Sequence, residues 1–418
     1  MTMQKNMITR KPYMDTLRVL KNEHVIKIVT GLRRSGKSTL LEMFADEIGQ
    51  AASPGQIQFL NFEDPDTLRL GTWKQVYDHI AGRLVAARMN YIFLDEVQNV
   101  EHFERLIDGL FIKKYVDLYV TGSNAMLLSG ELATLLTGRY VEISILPFSF
   151  DEYKSAAGNS PNFTKDELLA NFIFHGSIPQ VASLAKKDQE QADALLSGMI
   201  NTIIEKDIFV RHGINNKAAF NKVLDFVLDS AGSSISPRSI ADTLRANDIT
   251  VDKQTVGNYL RYLTEAFILY KASRYDVKGR CLLQTLDKYY LADPGFRKVR
   301  LSKSANTDRG HLLENAVYLE LRRRNSRVYI GKVRDKEVDF VAVDRLGYVS
   351  YYQVAYTVTD EATLERELAP LKAIKDSNAK YLLSTDWDIN PVYDGIRKLN
   401  AVDWFSDIAA YKRSDRSG

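Results

Sequence analysis

Several short stretches carry residue types that could act together on a phosphate. GLRRSGKST, at 31–39, sets Gly31, Gly36, Lys37 and Ser38 in the spacing G-x-x-x-x-G-K-[ST]. Glycines let the backbone curl so that its N–H groups converge on an anion. The lysine reaches the β and γ phosphates, and the hydroxyl after it ligates Mg²⁺. In YIFLDEVQNV, at 91–100, an apolar run ends in Asp95 and Glu96. An acid at such an edge holds Mg²⁺ through water, and the acid after it could polarise an attacking water as general base. DLYVTGSNA, at 117–125, places Ser123 and Asn124 after another apolar run. They could sense a γ-phosphate or orient the water; a Gly-Ser-Asn turn is the plainer reading. Arg139, just before YVEISI, could act in trans on a neighbouring subunit's γ-phosphate, act within its own subunit, or be a surface arginine. The combination points to ATP and Mg²⁺ as the ligands and to hydrolysis as the reaction.

These residues need a scaffold of strands that end together. VIKIV (25–29), IQFLNF (57–62), YIFL (91–94), DLYVT (117–121) and YVEISI (140–145) are short apolar runs of the kind that form buried strands. An amphipathic helix follows the glycine loop through Ile48, and its N-terminus adds the positive end of its dipole. The chain has 418 residues, enough for several domains, with 45% hydrophobic and 26% charged residues and a formal net charge of +3. That charge permits nucleic acid as a partner without demanding it. Cys281 is the one cysteine, so an intrachain disulfide and a cysteine zinc site are excluded and a cytoplasmic location is the default expectation. The N-terminal stretch lacks a signal-peptide apolar core, and no apolar run is long enough to span a bilayer.

Composition divides the chain at 1–150, 151–230, 231–300 and 301–418. DEYKSAAGNSPNF, from Asp151, is aperiodic and reads as a join. Helical periodicity follows to His212; His175 and His212 are lone histidines for which structural roles are expected. Ser236-Pro237 opens a helix through Leu244, and Asp252 can cap a second, Lys253 to Ala266. ILYKASRY and CLLQTLDKYYLAD then read as a strand pair, completing a winged-helix pattern. Lys253, Gln254, Thr255, Asn258 and Arg261 lie on the polar side of its second helix, where they could meet bases or phosphates of DNA, though many such units serve only as protein contacts.

GLRRSGKST, NFEDPD, YIFLDEVQNV, YVTGSNA, TGRYVEISILPFSF and GSIP resemble a family of prokaryotic AAA+-type ATPases with a C-terminal domain of uncharacterised function. The resemblance covers nearly the whole chain. It implies an α/β P-loop NTPase core with parallel sheet order 5-1-4-3-2, a helical lid over 151–230, ATP hydrolysis with Mg²⁺, and assembly into a homo-oligomer. It extends the nucleotide-binding stretch to Arg33, Arg34, Ser35 and Thr39, with the two arginines touching nucleotide or holding the loop from outside. From Gly310 onward a helix, a hairpin (EVDFVAVDRLGYVSYYQVAY), a helix and a strand resemble the restriction-endonuclease-like, or PD-(D/E)xK, fold. Glu314 and Asp339 match two of its acids. Its second strand acid and its lysine fall on Gln353 and Ala355, so nuclease activity is not expected. Arg322, Arg323 and Arg324 could form a phosphate patch or simply complement a helix dipole.

The functional expectation is an oligomeric ATPase that couples turnover to DNA binding or remodelling. An ATP-driven switch acting on a protein partner is the alternative, and an ATP-dependent nuclease the weakest reading.

Overall fold

The computed structural model describes residues 7–125, 136, 138–157, 163–302, 304, 308–387 and 392–406. Two compact units form: the first is 1–147 with 265–267, the second 148–264 with 268–418.

The first unit is built on strands β1 (Ile26–Gly31), β2 (Ile57–Asn61), β3 (Asn90–Asp95), β4 (Val116–Gly122) and β5 (Tyr140–Ile145). They make one parallel sheet in the order β2-β3-β4-β1-β5, the order 5-1-4-3-2 that the resemblance implies. β1, β3 and β4 are buried along their whole length, which is why they appear in the sequence as mostly apolar runs rather than alternating ones. The helices Lys11–Leu20 and Lys37–Gly49 bring Met14, Leu17, Leu40, Leu41 and Phe44 to the cluster containing Val29, Phe93 and Tyr119. The helices Trp73–Ala81 and Phe103–Phe111 pack Val76, Ile80, Leu106 and Leu110 with Ile28, Ile92 and Val120, on the opposite face.

One polar pair interrupts these apolar strands. Lys27 on β1 and Asp117 on β4 are ion-paired and almost completely buried. Asp117 also accepts hydrogen bonds from the Asn22 N–H and the Tyr119 hydroxyl, both at 2.8 Å, and the Lys27 ammonium donates to the Glu23 carbonyl at 2.7 Å. Burial pulls the lysine pKa down, while Asp117 opposes that pull.

The second unit starts with helices Phe150–Ala157, Lys165–His175, Pro179–Ala185 and Gln189–Ile203, the last running into a π-helical segment, Ile204–Val210. Asp151 to Ala157, which the sequence suggests is an aperiodic join, is helical; 158–162 lie outside the described residues. The helices Lys217–Asp229, Pro237–Arg245 and Lys253–Glu265 follow. Strands β6 (Ser234–Ile235), β7 (Leu269–Asp276), β8 (Cys281–Leu291), β9 (Arg327–Val333), β10 (Lys336–Val343), β11 (Val349–Val354), β12 (Ala379–Ser384), β13 (Val392–Tyr393) and β14 (Ile396–Asn400) form a single sheet, ordered β13-β14-β12-β11-β10-β9-β7-β8-β6. The hairpin β7–β8 joins the rest through parallel pairing of β7 with β9, Arg274 opposite Ile330. The sheet therefore runs through the division at 300, because strand pairing is set by backbone groups that local composition does not register.

Removing one partner of the Lys27–Asp117 pair leaves an uncompensated buried charge, which costs about 3–5 kcal/mol. Asp117→Ala is expected to lose roughly that much in chemical denaturation. The double variant Lys27→Met/Asp117→Leu should recover most of it; equal losses in both would show that the pair itself is not the stabilising element.

Candidate functional site

Strand order decides which loops meet. β4 lies between β1 and β3, and all three run the same way. Their C-terminal ends place the loop after Gly31, the Asp95–Glu96 pair and Thr121–Asn124 along one edge of the sheet, where open α/β sheets bind ligands.

The glycine loop is held close against its surroundings. Gly31 has φ of 142°, and a Cβ there would lie 2.2 Å from the Ile145 carbonyl oxygen, so only glycine fits. Gly36, with φ of 96°, starts the helix Lys37–Gly49. Inside the loop the Lys37 ammonium donates to the Gly31 carbonyl at 3.1 Å and the Leu32 carbonyl at 3.3 Å, and lies 3.5 Å from the Glu96 carboxylate. The Ser35 hydroxyl is buried without a hydrogen-bond partner. An orphaned hydroxyl, a buried ammonium and a helix N-terminus converging on one curl fit the charge and donor needs of a polyphosphate. Arg33 pairs with Glu63; Arg34 and Thr39 are exposed.

Next to the loop, Ser38 Oγ donates to Asp95 Oδ1 at 3.0 Å. Thr121 Oγ1 donates to the same oxygen at 2.5 Å and accepts the Glu96 N–H at 2.9 Å. Burial pushes the Asp95 carboxyl up, opposed by the Thr121 and Ser38 hydroxyls. A divalent cation, stabilising the anion, would act in the opposite sense to that burial. Ser38 and Asp95 therefore suit Mg²⁺ in donor type and proximity. Burial also works against ionisation of Glu96, but Lys37, Gln98, Arg33 and Ser123 outweigh it and hold the group below the usual glutamate range. Glu96 has a left-handed backbone (φ 52°), a strained state that costs on the order of 1 kcal/mol and tends to occur at functional sites. Gln98 Nε2 donates to Glu96 Oε2 at 2.6 Å and to Ser123 Oγ at 3.4 Å. Ser123 and Asn124 are both buried.

The structure does not bring Arg139 to this group. Arg139 precedes Tyr140, which pairs with Ile26 at the start of β1, whereas Gly31 pairs with Ile145 at its end. The six-residue offset along β5 is roughly 20 Å at the parallel-strand rise. Arg139 is half exposed and bonds Asp108 at 3.0 Å. The reading in which it serves its own subunit's phosphates fails on this geometry.

The second unit contains another carboxylate group. Glu314, on the helix Arg309–Arg324, accepts from Lys288 Nζ at 3.1 Å and from the Tyr290 hydroxyl at 2.7 Å. Lys288 also lies 2.8 Å from Glu337, which in turn pairs with Arg274. Asp339 accepts the Val354 N–H at 2.8 Å, and burial with the nearby Glu314 charge pushes its carboxyl well up. Gln353 donates to Glu367 at 3.0 Å, and Ala355 is part of the apolar core. Among the described residues no three His, Cys, Asp or Glu side chains are grouped to hold a metal ion. The lysine beside these acids thus comes from β8, at a position that no sequence spacing indicates.

Arg323 and Arg324 are not a phosphate patch: both pair with the buried Glu320 and donate to backbone carbonyls, of Phe148 and Trp404 respectively. Arg322 stacks on Tyr270 at 4.4 Å. Thr255 is committed to the helix cap, its hydroxyl donating to Asp252 at 2.6 Å. Lys253, Gln254 and Arg261 are exposed, and Arg261 lies over Tyr262, 3.5 Å from Asn258. His175 contacts Lys298 at 2.8 Å and is pushed down to about 4 by burial and that lysine; His212 stacks on Tyr262. Thr121 and Lys288 were not legible in the sequence, because each acts through a contact with a segment 26 residues away.

Residues 23–154 match the AAA domain family, and residues 166–307 match a domain of unknown function, DUF8612. An uncharacterized protein of Haemophilus influenzae is 34% identical over 405 residues, 96% of this chain and 99% of its own. An uncharacterized protein of Methanocaldococcus jannaschii is 28% identical over 364 residues, 84% of this chain and 79% of its own. Among solved structures, a Walker-type ATPase of Pyrococcus abyssi aligns over 71% of this chain and 97% of its own, at 14% identity and a TM-score of 0.47. With a relative 34% identical over nearly the whole of both chains and an AAA domain at 23–154, the chain belongs to the family of the Haemophilus influenzae protein and has an AAA-type P-loop core.

Proposed function

We propose that the first unit binds ATP with Mg²⁺ and hydrolyses it to ADP and phosphate. The observation that carries this reading is the pairing of Ser38 with Asp95 and of Lys37 with Glu96 on one sheet edge. Ser38 and Asp95 would hold Mg²⁺, which supplies charge neutralisation at the β and γ phosphates. Lys37 turns from the loop carbonyls to those phosphates. Glu96, held in its ionised form, would accept the proton of the attacking water. Ser123, Gln98 and Asn124 orient Glu96 and the water. Gly31, Arg33, Arg34, Ser35, Gly36 and Thr39 complete the nucleotide-binding stretch. Arg139 serves a neighbouring subunit as a finger in trans.

In the second unit, 151–230 acts as the helical lid, the helices Pro237–Arg245 and Lys253–Glu265 with β7–β8 as a winged-helix element, and the segment from Arg309 as an endonuclease-like module. Exposed Lys253, Gln254 and Arg261, with Lys278 and Arg280 exposed at the β7–β8 turn, support DNA as the partner whose binding is coupled to turnover. A protein partner is the second reading, supported by Leu282 and Leu286, which are 59% and 46% exposed on β8. Nuclease chemistry gains no support: Lys288 already compensates Glu314 and Glu337, and Asp339 is held toward its neutral form.

Three outcomes test these readings. Lys37→Ala should abolish ATP binding in a calorimetric titration, whereas Glu96→Gln should bind ATP normally and lose at least 100-fold in turnover, the scale of a general base. Mixing Arg139→Ala with Lys37→Ala subunits should restore part of the turnover; assembled but inactive mixtures would remove the finger in trans. Lys253→Ala/Arg261→Ala should weaken DNA binding and flatten its salt dependence by up to about two charges, and an unchanged salt slope would shift the reading to a protein partner.

A further inference from the structure

Arg10 precedes the helix Lys11–Leu20, and its side chain is buried. One guanidinium nitrogen donates to the Ser35 carbonyl at 2.9 Å; the other donates to the Leu146 carbonyl at 2.9 Å and the Pro147 carbonyl at 3.3 Å. The guanidinium lies 4.7 Å over the Tyr13 ring, and the Tyr13 hydroxyl accepts the Leu146 N–H at 3.3 Å. One buried planar cation thus joins the glycine loop to the last residues of the first unit.

A trans peptide points its C=O and its N–H in opposite directions. Arg10 draws the Ser35 carbonyl outward, so the N–H of the next residue, Gly36, is turned inward, toward the curl where Lys37 and the Ser35 hydroxyl converge. We propose that Arg10 is a positioning residue for nucleotide: it presets the Ser35–Gly36 peptide to donate to a phosphate and transmits phosphate occupancy to Leu146–Pro147. The proposal rests on the ATP reading above. The approach of Gly31 to Ile145 supports it, since the loop is gripped by the end of β5 at its start and, through Arg10, near its end. The next residue along the chain from Pro147 opens the second unit. A purely structural Arg10, anchoring the N-terminal helix, would affect melting temperature but leave the affinity of the folded protein for ATP unchanged.

The test compares wild type, Arg10→Ala and Arg10→Lys, with Lys37→Ala as the non-binding control. ATP affinity is measured by titration calorimetry, and exchange by peptide-resolved hydrogen exchange with and without MgATP. Arg10→Ala should bind ATP about tenfold to 100-fold more weakly, the scale of one charge-assisted hydrogen bond. Arg10→Lys should fall between, because an ammonium cannot reproduce the planar fork on two segments. In wild type, MgATP should slow exchange at 8–14 and 143–147 as well as at 31–40. Wild-type affinity in folded Arg10→Ala, or protection confined to 31–40, would overturn the proposal, and the wild-type exchange pattern decides it even if both variants fail to fold. Wild-type protein that binds no ATP would take down the nucleotide reading and this one together, an outcome distinct from a loss confined to the Arg10 proposal.

Discussion

The backbone ladder that seats β4 between β1 and β3 is the constraint on which the first unit depends. Thr30 pairs with Gly122 and Leu94 with Val120, so three loops that are remote in sequence end at the same level. Without that register Ser38 could not reach Asp95, nor Thr121 bridge Asp95 and Glu96. The ladder is fixed from the other end by the Lys27–Asp117 pair, which joins β1 to β4 across the sheet, away from the loops. Burying two charges is a poor way to gain stability compared with packed apolar side chains. It does, however, penalise any slip of β4 against β1, because a slipped register would leave both charges unpaired.

The two units use buried carboxylates in opposite ways. At the sheet edge of the first unit, Asp95 and Glu96 stand beside hydroxyls and one lysine that has alternative acceptors in Gly31 and Leu32. On the proposed reading, those interactions would be exchanged for a polyphosphate and its cation. In the second unit, Glu314, Glu337, Lys288 and Arg274 alternate in sign, and Asp339 is bonded to backbone at Val354. The alternation spans β7, β8, β10 and the helix Arg309–Arg324, so it acts as a set of cross-links within the sheet. Similar residue types therefore form a loosely committed group beside the glycine loop and a closed structural network in the second unit. Whether a cation has somewhere else to go is the difference between them.

Arginine has a related division of labour. Arg10 is buried, Arg323 and Arg324 are partly buried, and all three spend their donors on backbone carbonyls or on Glu320. Arg139 and Arg261 remain substantially exposed. A run such as Arg322-Arg323-Arg324 looks like a basic patch only until its partners are known, and the nearest of them, Glu320, is one helical turn away in the same helix.

By itself the sequence determined the strands of the first unit, the glycine loop and the positions of Lys37 and Ser38 after that loop and of Asp95 and Glu96 at a strand end. These are legible because their signals are local: mostly apolar runs, a fixed glycine–lysine spacing, and acids at a strand end. The helices Pro237–Arg245 and Lys253–Glu265 were legible for the same reason, through caps at Ser236 and Asp252. Tertiary structure alone decided that Arg139 stands on the far edge of its sheet, that β7 pairs with β9 to carry one sheet through the whole second unit, and that Lys288 stands beside Glu314. It also decided that Arg10 holds the loop. Each of these depends on backbone pairing or side-chain reach between segments tens to more than a hundred residues apart, and neither period nor composition encodes such distances.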